Sequence, residues 1–347
     1  MKRMTNPFFE VRPEWLAERR QEILEPDLPI IDPHHHLIDR LEHGTYMLPE
    51  LLADLASGHD VRATVYLEWG SMYRSEGPEE MRPVGEVEFA NGMAAMSASG
   101  GYGRTRVCAG IVGHAELTLG ARIEQVLEAM IAAGGGRGGR FRGVRLIAAS
   151  DPEQPLWGGR TTRPPGLLRD AKVREGFARL APLGLSFDTW VFHPQLGDVV
   201  DLARAFPDTL ICVDHIGGPI GLGRFEGRRD EVFAEWKQRI GELAACPNVH
   251  VKLGGMGMPV FGFGFHAGRL APSSEQLADK WRPYVETCIK AFGPKRAMFE
   301  SNFPPDKVAY GYDIYWNACK RLAKGLSASE KADLFYGTAS RFYRLGL

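Results

Sequence analysis

The run Ile31-Asp32-Pro33-His34-His35-His36-Leu37 sets three histidines at the end of an apolar stretch. Alternate residues of a strand share a face, so Ile30, Asp32, His34 and His36 fall on one parity and His35 on the other. Two imidazoles side by side can hold a metal ion or grip an oxyanion; a solvated polar turn is the competing reading. A third histidine, His215, follows Asp214 at the end of another apolar run and precedes a Gly-Gly-Pro turn. A third stretch, Met298-Phe299-Glu300-Ser301-Asn302, places Met298, Glu300 and Asn302 on one face. A buried carboxylate is costly unless it is paired or used, which makes Glu300 a candidate base and Arg145 or Lys252 its bland partners. Glu68, beside Trp69, is a second candidate base or else a rim residue.

These groups need a scaffold that brings strand ends together. Eight apolar runs read as strands, at 28–35, 61–69, 106–113, 141–149, 185–192, 209–217, 248–256 and 296–303. Amphipathic segments lie between most of them, several ending at Gly or before Pro, and Ser327 with Glu330 has capping-box spacing. Eight strands alternating with helices predict an α/β fold of the (β/α)₈ TIM barrel type, with the active residues at the strand C-termini. Residues 1–27 are expected to be an extension packing on one barrel domain, 28–347. The glycine-rich segment 134–143 precedes a strand rather than opening a helix, so it reads as a turn and not as a phosphate cradle. Long loops at 72–86 and 261–276 belong on the C-terminal face.

A net charge of -1 and the absence of long like-charged runs argue against nucleic acid or an anionic membrane as partner. No stretch reaches the 18 or so apolar residues of a membrane span. The five cysteines are scattered without a CxxC pair, which suits reduced thiols and a cytoplasmic location.

Five segments in order along the chain, IIDPHHHL, FRGVRL, VDHIGGP, VKLGGM and ESNFPPD, resemble the amidohydrolase superfamily. They are most similar to its amidohydrolase-2 branch, which contains 2-pyrone-4,6-dicarboxylate lactonase and sugar lactonases, with some decarboxylases of aromatic acids. The resemblance implies a (β/α)₈ barrel that hydrolyses a lactone or related ester or amide. His34 and His36 match the family's H-x-H, and His215 its strand-six histidine. The strand-eight position, an aspartate in most of the family, is Asn302 here. An amide can neither take a proton from water nor bring charge to a metal. The strand-five metal histidine is also missing, with Trp190 near its place and His193 three residues later. A metal-free site is therefore favoured, with zinc on His34, His36 and His215 as the alternative.

The expected activity is a cytoplasmic hydrolase of the lactonase kind acting on a small carboxylated or aromatic compound. His34, His36 and His215 would hold the carbonyl, Asn302 would position the water, and Glu300 or Glu68 would supply the base. Glu68, Trp69, Arg145, Trp190 and His193 are the expected substrate contacts. Arg74, Arg160 and Arg163 are loop cations that could bind a carboxylate, although solvated surface is the better reading of each. Trp157 and Tyr73 suggest aromatic lining. Phe261, Phe263 and Phe265 suggest a lid, with plain packing as the rival. His114 and His266 read as ordinary residues. The alternatives are a metal-dependent decarboxylase and an inactive ligand-binding barrel. The small-molecule substrate is the expected partner, and a homo-oligomer is compatible with the sequence.

Overall fold

The computed structural model describes residues 11–40, 44–152 and 163–347. Its centre is one sheet of eight strands in chain order. These are β1 (Ile30–His35), β2 (Val61–Leu67), β3 (Arg106–Gly113), β4 (Phe141–Ile147), β5 (Ser186–Trp190), β6 (Ile211–Val213), β7 (Val249–Leu253) and β8 (Ala297–Phe299). All neighbouring pairs are parallel. The residues after β8 close the ring onto β1: Asn302 N donates to His34 O at 2.9 Å and His36 N to Phe303 O at 2.8 Å. The (β/α)₈ expectation holds, and each of the eight apolar runs supplies a strand. A short hairpin, Ile38–Arg40 with Gly44–Tyr46, follows β1 and has no counterpart in the sequence reading.

Two apolar layers explain why these runs form strands. Ile31, Val65, Val112, Cys212 and Met298 fill the barrel interior, where Phe342, Tyr343 and Leu345 of the C-terminal segment plug its floor. A larger shell packs the outer strand faces against the surrounding helices. Burial on both faces leaves little room for polar alternation, so the few charged residues in the strands are conspicuous.

The parity expected for β1 needs correction. Ile31, not Ile30, belongs to the interior layer. The pairing with β2 slips between Asp32 and His35, whose partners are Thr64 and Tyr66. Pro33 has no N–H for the ladder, and a bulge at this point lets Asp32 face the wall while His34 and His36 still turn inward. Asp32 accepts hydrogen bonds from Ser301 N (3.0 Å), Ser301 Oγ (2.6 Å) and Tyr312 Oη (2.9 Å). It thereby fastens the β8–β1 seam.

Residues 11–27 lie against the loop before helix Ser274–Phe292 and against helix Tyr312–Leu322. Trp15 Nε1 donates to Gly268 O at 3.2 Å, Arg19 Nε to Ala271 O at 2.8 Å, and Leu24 N to Asn317 Oδ1 at 2.8 Å. No helix among the described residues is long and apolar enough to cross a membrane. All five cysteines are buried and unpaired. The glycine-rich segment before β4 is a turn, with Gly135, Gly136 and Gly138 at positive φ.

Candidate active site

Three histidines meet where β1, β6 and β8 converge. The His34 ring centre lies 4.9 Å from that of His36 and 4.6 Å from that of His215. All three are buried, His215 retaining 2% exposure. His215 and Asn302 both sit in the left-handed backbone region, at φ 54 each, which costs energy in a non-glycine residue and is typical of sites that hold a side chain for use. Two glycines after β7 make the room. A Cβ on Gly255 would lie 2.4 Å from the His215 ring, and one on Gly254 would lie 2.1 Å from Glu300 O.

Glu300 organises the cluster from beneath. Its Oε2 lies 2.6 Å from His34 Nδ1, and its Oε1 accepts from His215 Nδ1 at 2.6 Å and from His215 N at 2.9 Å. Burial alone would raise the carboxyl, but His215 and His34 outweigh it and hold Glu300 well below the ordinary carboxylate range. His36 Nδ1 faces Leu67 O at 2.8 Å, a group that only accepts. The partners of His36 and His215 take their Nδ1 protons, so these two rings present Nε2 as an acceptor, whereas His34 Nδ1 lies between Glu300 Oε2 at 2.6 Å and Lys252 Nζ at 3.2 Å. Burial, followed by Lys252 for His34 and Arg145 for His36, pushes both rings to the neutral form.

His34 Nε2 lies 3.2 Å from His36 Nε2. Arg145 Nη1, a donor, lies 3.2 Å from His34 Nε2. The remaining nitrogens of Arg145 are taken by Glu68, Nε by Oε1 at 3.0 Å and Nη2 by the backbone carbonyl. The sequence reading has protonated or hydrogen-bonding His34, His36 and His215 hold the carbonyl; here His34 and His36 are pushed to the neutral form. The donor facing them is Arg145.

The barrel interior is acidic. Glu68, Asp188, Asp214 and Glu300 are all buried, against Arg145 and Lys252 as buried bases. Lys252 Nζ lies 2.8 Å from Asp188 Oδ1, 2.9 Å from Asp214 Oδ1 and 4.0 Å from Glu300 Oε2. Burial would lower the lysine, but Asp188 and then Asp214 overcome it and raise it. Tyr343 Oη, from the floor, donates to Asp188 Oδ1 at 2.5 Å. The sequence reading had Lys252 only as a bland partner for Glu300 and gave Asp188 and Tyr343 no role. A lone charged residue within an apolar barrel strand was the signal for Lys252 and Asp188.

The remaining expectations divide. Trp69 lies against His36 with ring centres 4.8 Å apart, and Trp190 against His215 at 5.5 Å. Glu68 and Arg145 are within the cluster. His193 is not: its ring packs on Phe225 at 4.8 Å, and its Nε2 faces Glu235 of helix Arg229–Ala244 at 3.9 Å. His35 turns to the outer side, 2.9 Å from Thr64 Oγ1. Arg74 pairs with Glu88 and Arg163 with Glu116. Phe263 and Phe265 stack on each other and pack on Tyr284 and Trp281, so the packing alternative describes them rather than a lid over the histidines. Trp157 and Arg160 lie outside the described residues.

The donor set can be tested against a metal ion. Metal-bound histidines typically donate the other ring N–H to a carboxylate or carbonyl, as His36 and His215 do. His34, Asp214 and His215 also offer ligand atoms within 4.8 Å of one another. The surplus of buried acid over base suits a cation, and so the residues fit one.

Comparison with known proteins places this site in context. A family model described as amidohydrolase matches residues 31–345. An uncharacterized protein, y4mH, of Sinorhizobium fredii is 33% identical over 345 residues, covering 92% of this chain and 99% of its own. An L-fucono-1,5-lactonase of Burkholderia multivorans is 28% identical, covering 80% of this chain and 88% of its own. A crystal structure of an amidohydrolase from Burkholderia multivorans with bound zinc shares the fold, with TM-score 0.67 and 24% identity over 91% of this chain and 99% of that one.

Proposed function

We propose that this chain, which belongs to the amidohydrolase family and is thereby a hydrolytic enzyme, opens the ring of a small hydroxylated lactone by attack of water on its carbonyl. The observation that carries the proposal is Glu300 held between His34 and His215, each joined to it through Nδ1 at 2.6 Å. A carboxylate behind an imidazole fixes the tautomer, leaves Nε2 free to accept, and stabilises the imidazolium that forms.

His215 is the most exposed of the three histidines and takes the role of base, drawing a proton from water through Nε2. Asn302 orients that water. Arg145, anchored by Glu68, presents Nη1 as the cationic donor for the developing oxyanion. Glu300, assigned as a base in the sequence reading, becomes the group that orients His215, because its Oε1 accepts from both His215 N and His215 Nδ1 while its Oε2 lies 2.6 Å from His34 Nδ1. Zinc, when bound, would sit on the Nε2 atoms of His34 and His36 with His215 nearby, and would polarise the carbonyl and acidify water. Trp69 and Trp190 supply flat apolar faces beside the histidines.

Substrate charge follows from the same inventory. Arg145 and Lys252, the cations facing the cluster among the described residues, are both committed to internal carboxylates. A neutral polyhydroxylated lactone suits such a site better than the carboxylated compound expected from the sequence, and the L-fucono-1,5-lactonase relative supports that choice. The test is a panel of aldono-1,4- and 1,5-lactones and carboxylated lactones. Acid release is followed with a pH indicator, with and without chelator, alongside metal analysis of the purified protein. Turnover confined to carboxylated lactones would overturn the substrate class. Release of carbon dioxide from aromatic acids without lactone hydrolysis would overturn the reaction.

A further inference from the structure

Asp306 lies outside the histidine cluster, four residues beyond Asn302, yet is fully buried. Its Oδ1 accepts from Asn302 Nδ2 at 2.9 Å. Its Oδ2 accepts from Gly257 N at 3.0 Å and from Tyr310 Oη. Tyr310 is itself fully buried, stacked on Tyr315 with ring centres 5.8 Å apart. Burial pushes the Asp306 carboxyl up to about 7. Oδ2 takes both of those donors, and Oδ1 is the oxygen that faces the Asn302 amide. No described group donates to Asn302 Oδ1.

A primary amide has one accepting and one donating end, and rotation by half a turn exchanges them. With an acceptor-only oxygen at 2.9 Å, the flipped amide would set two oxygens against each other. We propose that Asp306 is a positioning residue that locks the Asn302 amide with Nδ2 turned away and Oδ1 presented to the attacking water. This rests on the hydrolytic reading above for what Oδ1 does, though not for how Asn302 is held. Gly257 belongs to the same device, since a Cβ there would lie within 2.8 Å of the Tyr310 hydroxyl. The chain thus carries, just beyond β8, an amide whose orientation is set by an acid one contact further out.

The test uses three variants of the full chain. In Asp306→Asn the new amide can donate or accept, so Asn302 is free to invert. The expected result is a fall in kcat of about 10- to 100-fold, the range for groups that orient a reacting residue, with KM nearly unchanged. Asn302→Asp alone sets two carboxylates against each other and is expected to lose activity as well. The exchange variant N302D/D306N restores one donor facing one acceptor and is expected to recover much of the loss, which a space-filling role for Asp306 would not predict. D306N at wild-type kcat, or an exchange variant no better than either single change, would overturn the proposal. Nuclear magnetic resonance with ¹⁵N-asparagine separates this from failure of the hydrolase reading. One Asn302 Nδ2 proton should be protected from exchange in the wild type, whether or not any lactone is turned over, and lose that protection in D306N. An unprotected Asn302 amide in the wild type would overturn the proposal even if D306N does not fold.

Discussion

Replacing Glu300 by glutamine keeps the shape of the side chain and changes only what its two ends can do. The carboxylate accepts three contacts, at 2.6, 2.6 and 2.9 Å, from His34 Nδ1, His215 Nδ1 and His215 N. The glutamine oxygen can keep the two from His215, which leaves the amide N–H₂ against His34 Nδ1 in place of a carboxylate oxygen at 2.6 Å. His34 then loses that negative charge while Lys252 Nζ stays 3.2 Å from the same nitrogen. His215 meanwhile loses the negative charge that stabilises its protonated form. The comparable change behind the histidine of a serine-protease triad costs about 10⁴ in kcat. For a carboxylate serving two rings the expected loss is about 10³- to 10⁴-fold, or about 4 to 5.5 kcal/mol at 1.36 kcal/mol per factor of ten. The assay is the initial rate on the best lactone of the panel, with a thermal melt to confirm that the variant is folded. A folded E300Q within tenfold of wild type would refute the role given to Glu300 and, with it, the choice of His215 as base.

Lys252→Met should remove the only buried cation within 3 Å of Asp188 and Asp214 among the described residues, costing about 3–5 kcal/mol and lowering the melting midpoint by roughly 4–7 °C. A variant that melts with wild type would show that the acids do not depend on it. Gly255→Ala places a Cβ 2.4 Å from the His215 ring at a backbone φ of +71, and should cost about 10²-fold in kcat with little change in circular dichroism. Retained activity would mean that His215 can shift without consequence. Glu86, which caps the backbone N–H groups of Trp69 and Ser71, is raised to about 7 by burial and then by Glu68. Because the folded chain holds this proton where the unfolded one has lost it, the contribution to stability is full below about 4.5 and is lost as pH rises through about 7. Glu86→Gln should flatten the pH dependence of the melting midpoint across that window, and an unchanged slope would remove Glu86 from the account.

The barrel was legible because burial on both faces of a parallel strand writes itself as a short apolar run, and each run here supplies a strand. The histidines were legible for a related reason: polar residues at the ends of such runs have nowhere to go except the mouth. Details that depend on contacts between distant strands were not. Asp32 was assigned to the inner face because alternation was carried through Pro33, where the missing N–H permits a bulge. His193 lay near enough to Trp190 in sequence to suggest a shared site, but the turn after β5 directs it onto Phe225. Glu300 was recognised as an inward carboxylate, yet its role could not be separated from that of a base until both oxygens were seen to face Nδ1 atoms. The meaning of Gly254 and Gly255 depends wholly on the rings opposite them.

The amide at position 302 follows from the electrostatics of its surroundings. Four buried acids already share the interior with two bases, and Asp306 adds a further carboxyl 2.9 Å from the Asn302 side chain. A carboxylate at 302 would face that acid directly, and one of the two would have to hold a proton. Asparagine keeps an oxygen at the mouth without adding charge, and its N–H₂ supplies Asp306 with a donor. With an amide at this position, the proposed mechanism places the base on His215, with the Glu300 carboxylate behind it. On the proposed mechanism Asn302, Asp306, Glu300 and His215 are parts of one solution, in which the residue that touches water is neutral and the charge that drives proton transfer lies one contact away.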